Sequence, residues 1–431
     1  MEIKIISTEI IKPSSPTPHH LKTHKLFYSN QLAPDDYFPI ILFYSAESNN
    51  ENNISSHLKN SLSKSLTYYY AFAGQIIDGV SVDCNDHGAV FIETRIANQM
   101  SKVVQKPDND LLKQLLPFSG DLQEIPNTYQ ANFVVQVNYF TCGGMAISVC
   151  FRHLISDGAA AANFLKSWGE VARDANDIKN VIVDFTSIFR QYESIAVVKS
   201  VYQHQHVPFP SDQRVVKRFV FDGKKIASLR QKVGNGPHLN RPTRFETISA
   251  LLLRAFMAIN AAGKRDDEFR ASQLAAVIPI NLRNKTNPPL PQQCLGNLVQ
   301  PTIANIPMDQ NIDYNIIAGK VRESIKKIDK QYKKNLHEGE AAVEGCPKSR
   351  VFSISDWTRF PCYETDFGWG KPIWVATVAL MDTGTVVLAS SDGAGDEAWV
   401  ALPKEEMAKF EQHPEILAHT NPLFMSKYSR L

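Results

Sequence analysis

One stretch, Phe151-Arg152-His153-Leu154-Ile155-Ser156-Asp157-Gly158, constrains the fold of this chain more than any other. The residues leading into it, Gly144 to Phe151, interleave small or polar side chains with apolar ones, the pattern of a half-buried strand. The residues after it, Ala159 to Ala175, read as a helix with Phe164, Leu165, Trp168 and Val171 on one face. His153 is therefore expected where a central strand ends and a helix is about to begin. A side chain there projects from a rigid support into whatever cleft lies beyond the sheet.

The chain has 431 residues, too many for one ordinary core, so two domains of about 200 residues each are expected. An apolar content of 43% with 21% charged residues is that of a water-soluble globular protein. The net charge of +2 argues against affinity built on neutralising many phosphates, so no nucleic-acid partner is expected. The cysteines at 84, 142, 150, 294, 346 and 362 form no CxxC pair, which fits reduced thiols in a cytoplasmic protein. The N-terminus has no apolar core of signal-peptide length and no stretch approaches a membrane span, so no membrane partner is expected.

Read in order, Ile3–Ile11 is an opening strand stopped by the three prolines of Lys12–Pro18. Phe38–Tyr44 is a buried strand, and Ile54, Leu58, Leu62 and Leu66 mark a helix that ends near Gly74. Strands follow at Val80–Asp83 and Ala89–Arg95. Phe133–Phe140 and Met145–Phe151 flank Cys142-Gly143-Gly144 as a hairpin-like pair. Periodicity fades over 176–212, which reads as a long crossover. Beyond it come a strand at Arg214–Phe221, helices at Lys224–Val233 and Arg244–Ala262, and a strand at Leu274–Leu282. A long helix at Tyr314–Lys334, strands at Trp374–Met381 and Val386–Ser390, and a last helix at Lys404–Leu417 complete the chain. Strands and helices alternate in both halves, so an α/β architecture with two mixed sheets is expected.

At a strand end His153 can serve as a general base near neutral pH, or it can be a buried histidine satisfied by a local carbonyl. Asp157 can orient the imidazole, or it can point away and anchor the turn against an arginine from elsewhere. No GxSxG surrounds Ser156, so a nucleophile for a triad is missing. No third ligand stands at metal spacing, and no metal is expected. A second stretch, Asp366-Phe367-Gly368-Trp369-Gly370, is neither a P-loop nor a dinucleotide fingerprint. Two glycines framing a tryptophan suit a tight loop that packs aromatic surface, a structural role.

His153-Leu154-Ile155-Ser156-Asp157-Gly158 and Asp366-Phe367-Gly368-Trp369-Gly370, in this order and at this separation, resemble the HxxxD and DFGWG motifs of the plant BAHD acyltransferases. Further blocks resemble the family across the chain: Ile11–Pro18, Val82–Asp86, Phe140–Gly144, Asn281-Leu282-Arg283 and Gly296-Asn297-Leu298. Together they are most similar to the branch of alkaloid, capsaicinoid and acylsugar acyltransferases. Two positions depart from the pattern: Gln75 stands where arginine is usual, and Asp356 where a small hydroxyl residue is common.

The resemblance implies two similar-sized chloramphenicol-acetyltransferase-like domains, each a mixed sheet flanked by helices. The expected bounds are 1–175 with about 372–393, a crossover over 176–212, and 213–371 with about 394–431. It implies an acyl-CoA-dependent O-acyltransferase that moves an acetyl or short or branched acyl group to a hydroxyl of a plant specialised metabolite. An acylsugar, an alkaloid or a terpenoid alcohol would each serve as acceptor. An N-acyltransferase, or a silent member that binds acyl-CoA or a partner, is the alternative. By this analogy His153 is the catalytic base, and Asp157 is a structural anchor paired with Arg283, a kind of pair that can be bidentate. Gly158, Asp366, Gly368, Trp369 and Gly370 support the site, and the Trp357 indole is the oxyanion donor. Thr243, Arg244 and Asn297 are expected to contact coenzyme A, a co-substrate rather than a resident cofactor, in a monomer.

Overall fold

The computed structural model describes residues 1–31, 33–45, 51–118, 131–174, 181, 214–261, 273–309, 311–335, 350–378, 384–391 and 395–420. Among the described residues, two six-stranded sheets carry the fold. The first is built from β1 (Ile3–Ile11), β3 (Tyr37–Tyr44), β6 (Ala89–Ile96), β7 (Phe133–Phe140), β8 (Met145–Arg152) and β13 (Trp374–Ala376). Its strand order is β1-β6-β7-β8-β3-β13, with β6 and β7 parallel and the other pairs antiparallel. The second sheet comprises β9 (Arg214–Asp222), β10 (Gln273–Asn281), β11 (Val299–Pro307), β12 (Arg350–Asp356), β14 (Thr385–Ser391) and β15 (Gly395–Pro403). Its order is β11-β10-β12-β14-β15-β9, again mixed. A small sheet, β2 (Thr23–Lys25), β4 (Gln75–Ile77) and β5 (Ser81–Asp83), flanks the first.

Each large sheet is covered by helices on one face. Helices Glu51–Tyr68 and Gly158–Ala172 close the first core around Leu58, Leu62, Phe133, Phe151, Phe164 and Trp168. Helices Gly223–Val233, Arg244–Ala261 and Tyr314–Asn335 close the second around Leu251, Leu252, Ile317, Phe352 and Leu388. The other faces meet: Phe43 and Trp374 of the first sheet share one apolar cluster with Val387, Trp399 and Ala401 of the second. The rings of Phe43 and Trp374 stack at 5.0 Å, and those of Trp374 and Trp399 at 6.2 Å.

That second buried face corrects the reading of β8. Its alternation does not separate core from water. Met145, Ile147, Val149 and Phe151 enter one cluster, while Ala146 and Cys150 enter the other, and Ser148 is buried too. The small residues mark the side that another layer approaches.

Four further expectations change. β11, β12 and β15 were not foreseen as strands. The expected last helix is two, Lys404–Glu411 and Pro414–His419, because Pro414 cannot donate into a continuing helix and is tolerated only in a first turn. The strand expected at Trp374–Met381 is three residues long within the described residues, pairing with Ile41–Phe43 of β3. β14 lies inside the stretch 372–393 assigned to the first half, yet it pairs with β12 and β15 and buries Val386 and Leu388 in the second core. The crossover at 176–212 falls outside the described residues apart from Val181. No helix among the described residues is long and apolar enough to cross a membrane.

Candidate active site

β8 is the fourth strand of the first sheet, and it ends at Arg152. The chain then turns, and the helix Gly158–Ala172 begins with Asp157 as its N-cap. β3 holds the turn from one side: the register places Phe38 opposite Phe151, and the His153 N–H donates to the Asp36 carbonyl at 2.7 Å. The connection from β10 to β11 holds it from the other, with the Asn297 side-chain amide donating to the His153 carbonyl at 2.6 Å. His153 thus lies where elements of both halves converge.

Asp157 does not face the imidazole. Its Oδ1 accepts from the Ala160 N–H at 2.7 Å, which caps the helix. Its Oδ2 accepts from Arg283 Nη1 and from the Leu298 N–H, each at 2.9 Å. Arg283, 0% exposed, uses its second terminal nitrogen on the carbonyls of Cys294 at 3.0 Å and Gly296 at 3.1 Å. The pair is therefore a single charged contact rather than a bidentate one. The guanidinium fork is divided among one carboxylate oxygen, the Asn281 side-chain oxygen at 3.3 Å and two backbone carbonyls, so it ties the β10–β11 connection to the helix N-terminus. Gly296 permits this: its φ of +130° is a conformation that side chains avoid, and an added Cβ would lie 2.9 Å from the Phe27 ring.

One aromatic ring packs against the imidazole. Phe38 lies 4.9 Å from it between centroids, and Trp357 lies 6.1 Å from Phe38. His153 Nδ1 is buried with no hydrogen-bond partner. Burial, the largest influence, pushes the His153 pKa below the ordinary histidine value. Its own carbonyl, the Asp157 carboxylate and Asn297 pull the other way.

Trp357 packs over the helix start, where a Cβ on Gly158 would stand 3.0 Å from the indole and 2.9 Å from the Phe360 ring. Its N–H, expected to be the oxyanion donor, is given to Ser355 Oγ at 3.1 Å. Asp356 turns its Oδ1 to the N–H and hydroxyl of Thr358, forming the turn after β12.

Asp366-Phe367-Gly368-Trp369-Gly370 lies at the far end of the same helix. A Cβ on Gly169 would meet the Asp366 carbonyl oxygen at 2.8 Å, and Arg173 donates to that oxygen at 2.9 Å. Gly169 is eleven residues beyond Gly158, about 16 Å along the axis at 1.5 Å per residue. The Asp366 side chain folds the loop by accepting from the N–H groups of Gly368 at 2.8 Å and Gly370 at 3.0 Å. Burial raises its pKa, but these amides and Arg173 outweigh it and hold the carboxyl below its ordinary value. Phe367 packs 4.8 Å from Trp168, and Trp369 lies 6.2 Å from Tyr44.

The residues expected to meet coenzyme A lie on two elements, the β10–β11 connection and the start of helix Arg244–Ala261. Asn297 is on the His153 carbonyl. Thr243 and Glu246 form a capping box: Thr243 Oγ1 accepts from the Glu246 N–H at 3.2 Å, and Glu246 accepts from the Thr243 N–H at 2.7 Å. Arg322 grips the same carboxylate at 2.6 and 2.7 Å. The start of helix Arg244–Ala261 thus already holds an anion of its own. Arg244 pairs with Asp396 at 3.0 Å but remains 55% exposed, which leaves it accessible to a ligand.

Phe38 carries no mark in the sequence of a place in the site, whereas Asn297 does. Phe38 looked like an ordinary core residue of a buried strand, and nothing in its neighbours marks it as facing His153. Asn297, expected to contact coenzyme A, has its side-chain amide on the His153 carbonyl. The only available signal was the run Gly296-Asn297-Leu298, in which a glycine precedes a polar residue between apolar ones.

The transferase family model matches residues 1–417. The chain is 43% identical to a limonoid 21-O-acetyltransferase of Citrus sinensis, over 98% of this chain and 99% of that one. Among solved structures, vinorine synthase superposes with a TM-score of 0.83 at 30% identity, covering 98% of this chain and 100% of that one. The TRI101 protein of F. sporotrichioides, crystallised with coenzyme A and T-2, shares the fold at a TM-score of 0.74 and 14% identity, over 93% of this chain and 99% of that one. With the strand–His–helix geometry and the clamped Asp366–Gly370 loop on one continuous match, the chain belongs to the transferase family, as one of the BAHD acyltransferases.

Proposed function

We propose that this protein transfers an acetyl or other short acyl group from coenzyme A to a hydroxyl of a terpenoid or alkaloid alcohol, with His153 as general base. The observation that carries the reading is His153 itself. It is an imidazole with a depressed pKa, buried Nδ1 and an Asp157 already committed to Arg283. Neutral at physiological pH, such a ring can take a proton through Nε2. The acceptor oxygen attacks the thioester carbonyl as its proton passes to His153. The tetrahedral intermediate then collapses, the C–S bond breaks, and His153 returns the proton to the departing thiolate. No serine or cysteine among the described residues is hydrogen-bonded to the ring, in keeping with direct transfer without an acyl-enzyme.

The oxyanion needs a donor. Trp357 supplies one by exchanging Ser355 for the intermediate. Arg244 meets a phosphate of coenzyme A by leaving Asp396, with Thr243 beside it. Asn297 acts from behind His153. The protein works as a monomer in the cytoplasm. Its two halves, joined through 176–212, form two domains with the acceptor and acyl-CoA entering from opposite faces. The 43% identity to a limonoid O-acetyltransferase favours an oxygenated polycyclic alcohol and an O-acyl product.

The test is thiol release from acetyl-CoA with limonoid alcohols that carry a free hydroxyl, followed by mass spectrometry, with His153→Ala as control. Release by the unmutated protein alone, with a new acetate ester, is expected. Equal background from both proteins, together with no calorimetric binding of coenzyme A, would overturn the reading.

A further inference from the structure

A general base needs a fixed ring, and His153 lacks the usual means of fixing one. In many such sites a carboxylate holds Nδ1. Here Asp157 spends both oxygens on Ala160, Leu298 and Arg283, and Nδ1 is buried without a hydrogen-bond partner. The backbone on either side of the ring is pinned, at the N–H by Asp36 and at the carbonyl by Asn297. Those two contacts hold the backbone, while the residue's own carbonyl and the Asn297 side chain are the polar groups that act on the ring.

The ring that does touch the imidazole belongs to Phe38. It lies 4.9 Å away at an interplanar angle of 59°, a tilted packing. Phe38 is itself clamped, stacked at 5.6 Å and 22° on Phe151 and met edge-on by Trp357 at 6.1 Å and 72°. It is 6% exposed and stands on β3 directly opposite Phe151, so the sheet register fixes its position. Phe38, Phe151 and Trp357 thus make a rigid apolar stack with the imidazole against its first member.

Resting on the reading of His153 as the base, we propose that Phe38 is a positioning residue that holds the imidazole in its working orientation and keeps water from the buried side of the ring. The geometry substitutes an aromatic wall for the missing carboxylate. The low His153 pKa agrees with it, since burial is its largest cause. The charged groups around the ring are Asp157 on its own loop, Arg283 from the β10–β11 connection, and Asp35, Asp36 and Arg152 where β3 and β8 meet. Arg152 and Asp35 pair at 2.6 Å and Arg283 and Asp157 at 2.9 Å, so four of these five charges are matched and burial remains the largest influence on the ring.

The experiment compares Phe38→Leu, Phe38→Met and Phe38→Tyr in the full chain. The first readout is the pH titration of the His153 Cε1–H resonance, assigned by its loss in His153→Gln. It needs no turnover, so it stands apart from the success or failure of the activity assay. The midpoint is expected to rise by about half a unit or more in the two ringless variants, as water reaches the ring, and to stay put in Phe38→Tyr. The second is kcat and KM with acetyl-CoA and a limonoid alcohol. A fall of about tenfold in kcat with little change in the KM for acetyl-CoA is expected for Leu and Met, with Tyr restoring most of it. Should Phe38→Leu not fold, Phe38→Met fills nearly the same space without a ring. An unmoved midpoint in both ringless variants overturns the proposal. So does a loss confined to the KM for the acceptor, which would make Phe38 only a wall of the acceptor pocket.

Discussion

At the scale of residues, the buried charged contact beside His153 is one that a single substitution can break. Arg283 and Asp157 are both buried, and each partner bridges two or more elements. Asp157→Asn keeps a side-chain oxygen that can cap the helix, since Asn is as good an N-cap as Asp. It leaves the guanidinium uncompensated in a dry setting, where breaking a pair costs about 3–5 kcal/mol. Urea unfolding of Asp157→Asn is therefore expected to show a loss of that order, and His153→Ala a much smaller one. A fully stable Asp157→Asn protein with slowed turnover would instead return Asp157 to an orienting role. His153 makes a second prediction. Its folded pKa lies below the ordinary value of about 6.5, so the neutral base persists to lower pH than in a free histidine. The acid limb of kcat/KM should then fall below pH 6.5, with activity lost as pH drops through that limb. A limb above 6.5 contradicts the burial argument.

At the scale of elements, helix Gly158–Ala172 serves two tasks at once. Its first turn presents the His153–Asp157 segment, and its last turns receive the Asp366–Gly370 loop at Gly169. Gly169→Ala should gain about 0.5–1 kcal/mol from helix propensity. The added methyl would meet backbone atoms of Asp366 at 2.8 and 3.0 Å, which cannot rotate away, and overpacking of this kind costs about 1–3 kcal/mol. The clash wins, so a lower melting temperature is expected, with activity falling through the whole helix rather than through the acyl-CoA KM. The same element shows how far sequence carries. The strand, the histidine and the helix were legible because they are consecutive and their periodicities are clean. β11 was not, because Pro301 and Pro307 argue against a strand; the sheet tolerates them since β11 is its edge. Pro279 in β10 and Pro39 in β3 lie beyond the reach of the short partners β12 and β13, so their missing N–H groups leave no ladder bond unmade on that side. Contacts such as Phe38 with His153 or Asn297 with the His153 carbonyl join residues more than a hundred positions apart, which no local pattern records.

At the scale of the whole molecule, the site exists only where two halves meet, so their attachment decides whether there is a site at all. The attachment is covalently interleaved: after the second half has laid down β12, the chain crosses to add β13 to the first sheet and returns for β14. It is also packed. Trp374 of β13 lies between Phe43 of its own sheet and Trp399 of the other, with the Arg218 guanidinium 5.4 Å from its ring. Arg218 is in turn held by the fully buried Glu397 at 2.7 Å. An interface of this kind resembles an interior more than a surface between independent units, so the two halves should not melt separately. Calorimetry of the full chain is expected to give one transition, although a chain of this length would ordinarily show two. Trp399→Ala removes the ring that faces Trp374 and should cost about 3–5 kcal/mol. Because the lost contact lies between the sheets, that loss should separate the single transition into two and reduce kcat through His153, whose backbone is held from both halves. One undivided but lowered transition in Trp399→Ala would mean that β13 alone couples the halves. Two transitions in the unmutated protein would mean that neither does.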